Sequence, residues 1–215
     1  MNQYDVAALT NAPQQQRSHS LTLRILEAAE QVLQRDGMSG FTIRAVAAKA
    51  EVSVGGIYRR FEDREELLTA IHSRAIERLE LRVTAALSDP SIDCLAGLVA
   101  TFVDAVAATF RDEAHLFSIA WGTKGVAAFE RAVRGQEHLH RAFAAAALRY
   151  RADILRPDPD FAIRTAMQLV LATLIRRAAF GQRFGVEAQS WPVLCAEIAV
   201  AAKVYLTSAL PAGSD

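Results

Sequence analysis

Apolar residues recur at helical spacing along nearly the whole chain. Between Leu23 and Leu33, the positions Ile25, Leu26, Ala29, Val32 and Leu33 share one face, and Gly37 follows as a stop just beyond Arg35-Asp36. Thr42 is placed to cap a second helix whose inward face is Ile43, Val46, Ala47 and Ala50. Ser53 is placed to cap a third over Val54 to Arg60, after only a few turn residues. Two short helices so close must cross steeply. Asp63, with Glu66 three residues on, makes a capping-box-like start to a fourth helix. That helix carries Leu67, Leu68, Ile71, Ala75 and Leu79 on one side and is expected to run to about Leu87.

Ser88-Asp89-Pro90-Ser91 is the first strong breaker, because Pro90 pushes its predecessor out of helical geometry. Beyond it, Ile92 to Arg156 is rich in Ala, Val, Leu and Phe and reads as about three helices. The run Arg156-Pro157-Asp158-Pro159-Asp160 breaks the chain again. Two last helices follow, near Phe161 to Phe180 and Trp191 to Leu210, with Pro192 suited to a first helical turn. No stretch alternates with period two over strand length. The expectation is an all-α fold of about nine helices, a three-helix head and a larger helical bundle. The segments expected are a mobile tail over 1–19, a head with its connecting helix over 20–87, and a second domain over 91–215.

Composition narrows the class. The 215 residues are 52% hydrophobic and 22% charged, enough to bury a core and unlike a disordered tail. Lys and Arg together number 24, as do Asp and Glu, so the net charge is zero and the chain is no polycation, though local patches remain open. Cys94 and Cys195 lie far apart in apolar surroundings, which points to buried free thiols in a reducing compartment. The first twenty residues lack the basic start and apolar run of a signal peptide. The apolar stretches around Ala166 to Ile175 and Ile198 to Ala202 fall short of the ~20 residues that span a bilayer. A cytoplasmic protein without a membrane partner is expected.

The chemistry concentrates in Thr42 to Arg60. The spacing is that of a helix-turn-helix: Ala47 is small where the helices cross, Val52 plugs the corner, and Ile57 packs back into the angle. What remains for the outer face is Val54, Gly55, Gly56, Tyr58, Arg59 and Arg60, with two cations, a phenol and no acid. Such a surface suits a phosphate-lined groove. An isolated basic pair is more often a solvated face, and Thr42 and Ser53 are explained by capping alone, so the constellation carries the reading.

Thr42-Ile43-Arg44, Ala47, Ala50, Val52-Ser53, Gly55, Ile57-Tyr58-Arg59, Phe61 and Arg64-Glu65-x-Leu67 resemble the DNA-binding domain of the TetR family of transcriptional repressors. The resemblance spans roughly residues 20–70. It implies that Thr42 and Tyr58 bind phosphate, that Arg44 binds phosphate or a base edge, and that Arg60 and Arg64 bind phosphate where the family commonly has His and Lys. It also implies that Val54, Gly55, Gly56 and Arg59 face the bases, with Ser53 at the helix start. Two positions depart from the family pattern. Glu51 replaces the usual Gly of the turn, implying left-handed backbone strain or a modified turn, and Gly56 replaces a common Thr or Ser.

The resemblance further implies a homodimer on a near-palindromic operator, no cofactor, no enzymatic activity, and release by a small, mainly hydrophobic effector. Candidate pocket residues are Phe102, Phe117, Trp121, Phe129, Phe143, Met167 and Gln168, with Phe110, Phe180, His115, Gln136, His138, Arg141, Thr173 and Arg176 as further aromatic or polar candidates. Aromatics at this spacing are more often plain core. The last two helices are too apolar for one buried face each, and Leu171, Leu174, Ile175, Leu194, Ile198 and Ala201 are the expected dimer surface. The rival reading is a di-metal carboxylate enzyme, since Asp112-x-x-His115 and Glu137-x-x-His140 each place a carboxylate and an imidazole on one helix face. The same histidines would also serve a metal-sensing repressor.

Overall fold

The computed structural model describes residues 6–117, 126–180 and 190–209. Among these residues the fold is all-helical: α1 (Val6–Gly40), α2 (Ile43–Ala50), α3 (Val54–Tyr58), α4 (Arg64–Leu87), α5 (Leu95–Asp112), α6 (Ala114–Phe117), α7 (Val126–Ala147), α8 (Pro159–Phe180) and α9 (Trp191–Thr207), with a 3-10 segment at Leu148–Asp153. The chain forms two compact units, Met1–Ile71 and His72–Asp215. The division falls inside α4, earlier than the breaker at 88–91. The reason is that the second half of α4 joins the second unit through Arg78 to Glu113 and Glu80 to Arg131.

In the first unit, Ile25, Ala29, Val32 and Leu33 of α1 meet Val46, Ala47, Ile57, Leu67, Leu68 and Ile71 in a closed core, with Phe41 buried at its edge. Helix α1 begins at Val6, well before the start expected near Leu23, and covers most of the segment read as a tail. Gly37 interrupts it as expected, with φ 65° and ψ −172°, but a further helical turn reaches Gly40. The start of α4 matches its sequence signal. Asp63 Oδ1 accepts from Glu66 N–H at 2.8 Å, and the Glu66 carboxylate reaches back to the amide of Glu62.

In the second unit, α5 is the central element, and Leu98, Val99, Phe102, Val103, Val106 and Phe110 are all buried. Phe102 stacks at a tilt on Phe143 of α7, with ring centroids 4.6 Å apart. Gly135 lets α7 approach α4: a Cβ there would lie 2.6 Å from Ile76 Cγ2. Beside it, Arg131 makes a two-pronged pair with Glu80 at 2.8 and 3.1 Å. The segment before α8 is tied to the end of α9, where Leu155 N–H donates to Leu206 O and Arg156 Nε to Tyr205 O. Of the two thiols expected to be buried, Cys195 is, but Cys94, at the start of α5, is exposed.

Candidate functional site

The helix pair α2–α3 is fixed by caps at both starts. Thr42 Oγ1 accepts from Ala45 N–H at 3.1 Å, and Ser53 Oγ from Gly56 N–H at 3.0 Å. Each hydroxyl uses oxygen for the cap and keeps its own O–H to donate to an outside acceptor such as a phosphate. Between the helices, Glu51 sits at φ 55° and ψ 46°, the left-handed region, and Val52 N–H closes the turn on Ala47 O at 3.0 Å. Glu51 is the positive-φ residue other than glycine among the described residues. Arg24 of α1 adds a lock by donating to Ala50 O at 2.7 Å, satisfying a carbonyl at the end of α2.

Outward from this frame stand Thr42, Arg44, Lys49, Val54, Gly55, Tyr58 and Arg59, all exposed. Tyr58 keeps 52% of its surface open, although Ile57 beside it is fully buried. Gly56 is half-buried, and there is a local reason for glycine: a Cβ would press to 3.3 Å from the capping Ser53 Oγ. Gly55 has open space around it.

Two cations expected at phosphates have partners inside the head. Arg60 donates to Thr22 Oγ1 at 3.2 Å, Gly56 O at 3.3 Å and Ser18 Oγ at 3.4 Å, which ties α3 to α1. Arg64 donates to Phe41 O at 3.0 Å and Met38 O at 3.1 Å, pairs with Glu65, and lies 5.4 Å over the Phe41 ring. Both hold backbone groups of the head together. Lys49 was not among the expected residues; its exposure on α2, beside the turn, is the signal that would have named it.

The second unit holds a cavity of about 360 Å³ lined by α4, α5, α6, α7 and α8. Of the residues expected at an effector pocket, Phe117 and Phe129 line this cavity, together with Phe110 and Gln136. Phe102, Phe143 and Met167 do not: they are core, closed off by their own packing, while Gln168 is exposed on α8. Trp121 and the side chain of Phe180 lie outside the described residues. The lining residue that spacing did not suggest is His72 of α4, 3% exposed, with Nδ1 buried and without a hydrogen-bond partner. Burial, reinforced by the charge of Arg131, pushes its imidazole below the usual histidine range, so it is held neutral.

Residues 25–71 match the model of the family described as bacterial regulatory proteins, tetR family. The head thus carries the DNA-binding domain of that family. Curated relatives agree over the head: the chain is 35% identical over 63 residues to the HTH-type transcriptional repressor KstR of Mycolicibacterium smegmatis, covering 29% of this chain and 31% of that one. It is 37% identical over 59 residues to KstR of Rhodococcus jostii, covering 27% and 28%. The match thus spans about a third of the relatives' length. Solved structures with the same fold include a bacterial regulatory protein of the tetR family from Rhodococcus RHA1, 19% identical, with TM-score 0.64 over 88% of this chain and 98% of that one. A protein of unknown function from Rhodococcus sp. RHA1, 19% identical, superposes with TM-score 0.70 over 87% and 96%. The multidrug binding protein EbrR, 21% identical, does so with TM-score 0.61 over 90% and 97%.

The family matched by the head is one of bacterial regulatory proteins. One of the two pairs behind the metal reading also lacks its assumed geometry. Asp112 and His115 do not share a helix, because the backbone leaves helical geometry at Glu113 between them. Asp112 is exposed and engaged by Arg82 and Arg111. Glu137 is exposed, and among the described residues no three of His, Cys, Asp and Glu gather as a metal site. On α8 and α9, Leu171, Leu174 and Ile198 are buried in the unit's own core, and Ile175 and Leu194 are half-buried. Open apolar positions on the two helices include Phe161, Leu169, Val193, Val200 and Val204, and Ala201 of the expected set is exposed with them. Among the described residues no helix is long and apolar enough to cross a membrane.

Proposed function

We propose that this protein is a one-component transcriptional repressor that binds a near-palindromic operator as a homodimer and is released by a small, mainly apolar effector. The observation that carries the reading is the α2–α3 pair. Capped at both starts, it is braced by Arg24, Arg60 and Arg64 from behind, and it presents Arg44, Lys49, Tyr58 and Arg59 outward with the cap hydroxyls. A braced helix pair with exposed cations and a phenol fits the major groove and its flanking phosphates. Arg44 and Arg59 are the side chains long enough to reach base edges, and Val54 and Gly55 supply the close surface between them.

The dimer reading is supported by α8 and α9, where Leu169 is 53% and Val200 59% exposed. Isolated apolar residues need no explanation, but this series on two adjacent helices favours a twin subunit. For release, α4 has the relevant composition. Its residues Leu67, Leu68 and Ile71 belong to the core of the head, and His72, Ile76 and Leu79 line the cavity of the second unit. An occupant of the cavity shifts the DNA-binding equilibrium only by its differential affinity for two arrangements of that helix. Half-sites one helical turn apart, roughly 34–36 Å, make small changes in head spacing costly.

Fluorescence anisotropy with DNA flanking the protein's own gene tests the reading. Specific, salt-sensitive binding by a dimer is expected. Binding no tighter to that DNA than to scrambled sequence at every salt concentration would remove local repression from consideration.

A further inference from the structure

The lining of the second unit's cavity has an uneven chemistry. Phe110, Phe117 and Phe129 give it aromatic walls, and Ile76, Leu79 and Leu171 fill much of the rest. Among the described residues no Asp, Glu, Lys or Arg lines it. The nearby charges are already spoken for, since Arg131 is held by Glu80 and Arg78 by Glu113. Against this apolar wall stands a single deeply buried polar ring, His72, held edge-on against Phe117 with centroids 6.2 Å apart. A buried imidazole nitrogen without a partner costs about 1–3 kcal/mol, and few native structures leave one without a reason. Phe129 is 71% exposed and also lines the cavity.

We propose that this cavity takes an uncharged, largely apolar molecule that carries one hydroxyl or carbonyl oxygen, and that the His72 imidazole is the partner of that oxygen. The inference rests on reading the second unit as the effector-binding unit. A carboxylate or ammonium entering the cavity would lose its hydration and meet no opposite charge among the described lining residues, whereas a neutral oxygen needs one hydrogen bond only. The neutral ring can give that bond from its N–H or accept it at the other nitrogen, so a ketone and an alcohol both suit it. The cavity's 360 Å³ equals about twelve liquid waters at ~30 Å³ each, which sets the size on the order of a dozen non-hydrogen atoms.

Three probes of one shape separate the claims: 2-acetylnaphthalene, 2-ethylnaphthalene and 2-naphthoate, titrated calorimetrically into the full-length protein at pH 7.5. The ketone is expected to bind about three- to tenfold more tightly than the hydrocarbon, the worth of one hydrogen bond, and the carboxylate more weakly than either. In His72→Leu the ketone should lose its advantage while the hydrocarbon still binds, which also reports that the cavity has folded. In His72→Gln, part of the preference should return. Naphthoate binding as well as the ketone, a preference that survives His72→Leu, or no binding of any probe to the parent protein would overturn the proposal. Failure of the broader reading looks different: the ketone binds through His72, yet saturating ketone leaves the anisotropy of operator-bound protein unchanged.

Discussion

Glu51 offers a direct test of how the helix-turn-helix is held. Its backbone lies at φ 55° and ψ 46°, which for a residue with a Cβ costs roughly 1–2 kcal/mol relative to right-handed geometry. Glycine at this position removes that cost but orders a looser chain on folding, an opposing ~0.5–1 kcal/mol. The net expectation for Glu51→Gly is a gain of about 0.5–1 kcal/mol, read as a higher urea midpoint for the transition of the head. The carboxylate could contribute by another route, since it is exposed near Lys49 and Arg44. Glu51→Ala separates the two effects, because alanine removes the charge and keeps the Cβ. The backbone account requires Glu51→Ala to show no gain. Equal stabilisation by alanine and glycine would refute it and assign the effect to charge. DNA affinity should behave oppositely: both variants lose the same repulsion toward phosphate, so both should bind more tightly at low salt by similar factors.

Other consequences follow from individual contacts. Gly135→Ala places a Cβ 2.6 Å from Ile76 Cγ2 and 3.3 Å from both Arg131 Nη1 and Glu80 Oε1, so it should destabilise the second unit by about 1–3 kcal/mol in thermal unfolding. An unchanged melting temperature would mean that α4 and α7 separate freely there. Leu169→Asp with Val200→Asp should shift the sedimentation of the protein from dimer to monomer while its helical circular dichroism persists. Arg59→Ala and Arg44→Ala should alter sequence preference among operator variants. Because burial, then Arg131, lowers the His72 pKa below the unfolded value of ~6.5, the unfolded chain takes up the proton first. The stability is therefore fully present above that pH and declines as pH falls through it toward the folded value. A urea midpoint that drops between pH 7.5 and 5.5, and drops less in His72→Leu, is the expected result.

The parts of the fold that depend on neighbours in sequence were legible before any coordinates. Helical spacing located α2, α3, α4, α8 and α9 to within a few positions and gave a count of about three, without bounds, for the helices between Ile92 and Arg156, and Thr42, Ser53 and Asp63 cap as their positions imply. The left-handed turn at Glu51 was one of two conformations the substitution allowed. What depends on distant neighbours was not legible. Phe102 and Phe117 both face inward, and only three-dimensional packing makes the first a stacking partner of Phe143 and the second a cavity wall. His72 falls on the apolar side of α4, where counting hydrophobic positions passes over it. The same holds for Leu171 and Leu174: an apolar helix with two inward faces looks, residue by residue, like one with a face to spare.

The head's cations show the limit most clearly and turn it into a measurement. Arg60 finds its partners at Thr22 and Ser18, separated from it by 38 and 42 positions, and Arg64 finds Met38, 26 positions back. Neither pairing has a local signature. Both side chains have donors committed to the scaffold, which leaves Arg44, Lys49 and Arg59 as the exposed cations of α2 and the residue after α3. Two heads then bring about six charges to the operator, and the slope of log K against log salt should be near −5, at ~0.9 per phosphate neutralised. Had Arg60 and Arg64 both met phosphates, the same arithmetic would approach −9. Substitution distinguishes the two cases in one titration series from 50 to 300 mM salt. Arg60→Ala should weaken binding to every sequence by loosening α3 from α1, with the slope nearly unchanged. Arg59→Ala should flatten the slope by about 2, one contact in each of two heads. A parent slope near −9 that Arg60→Ala reduces by about 2 would show that this guanidinium leaves Thr22 and Ser18 for the DNA.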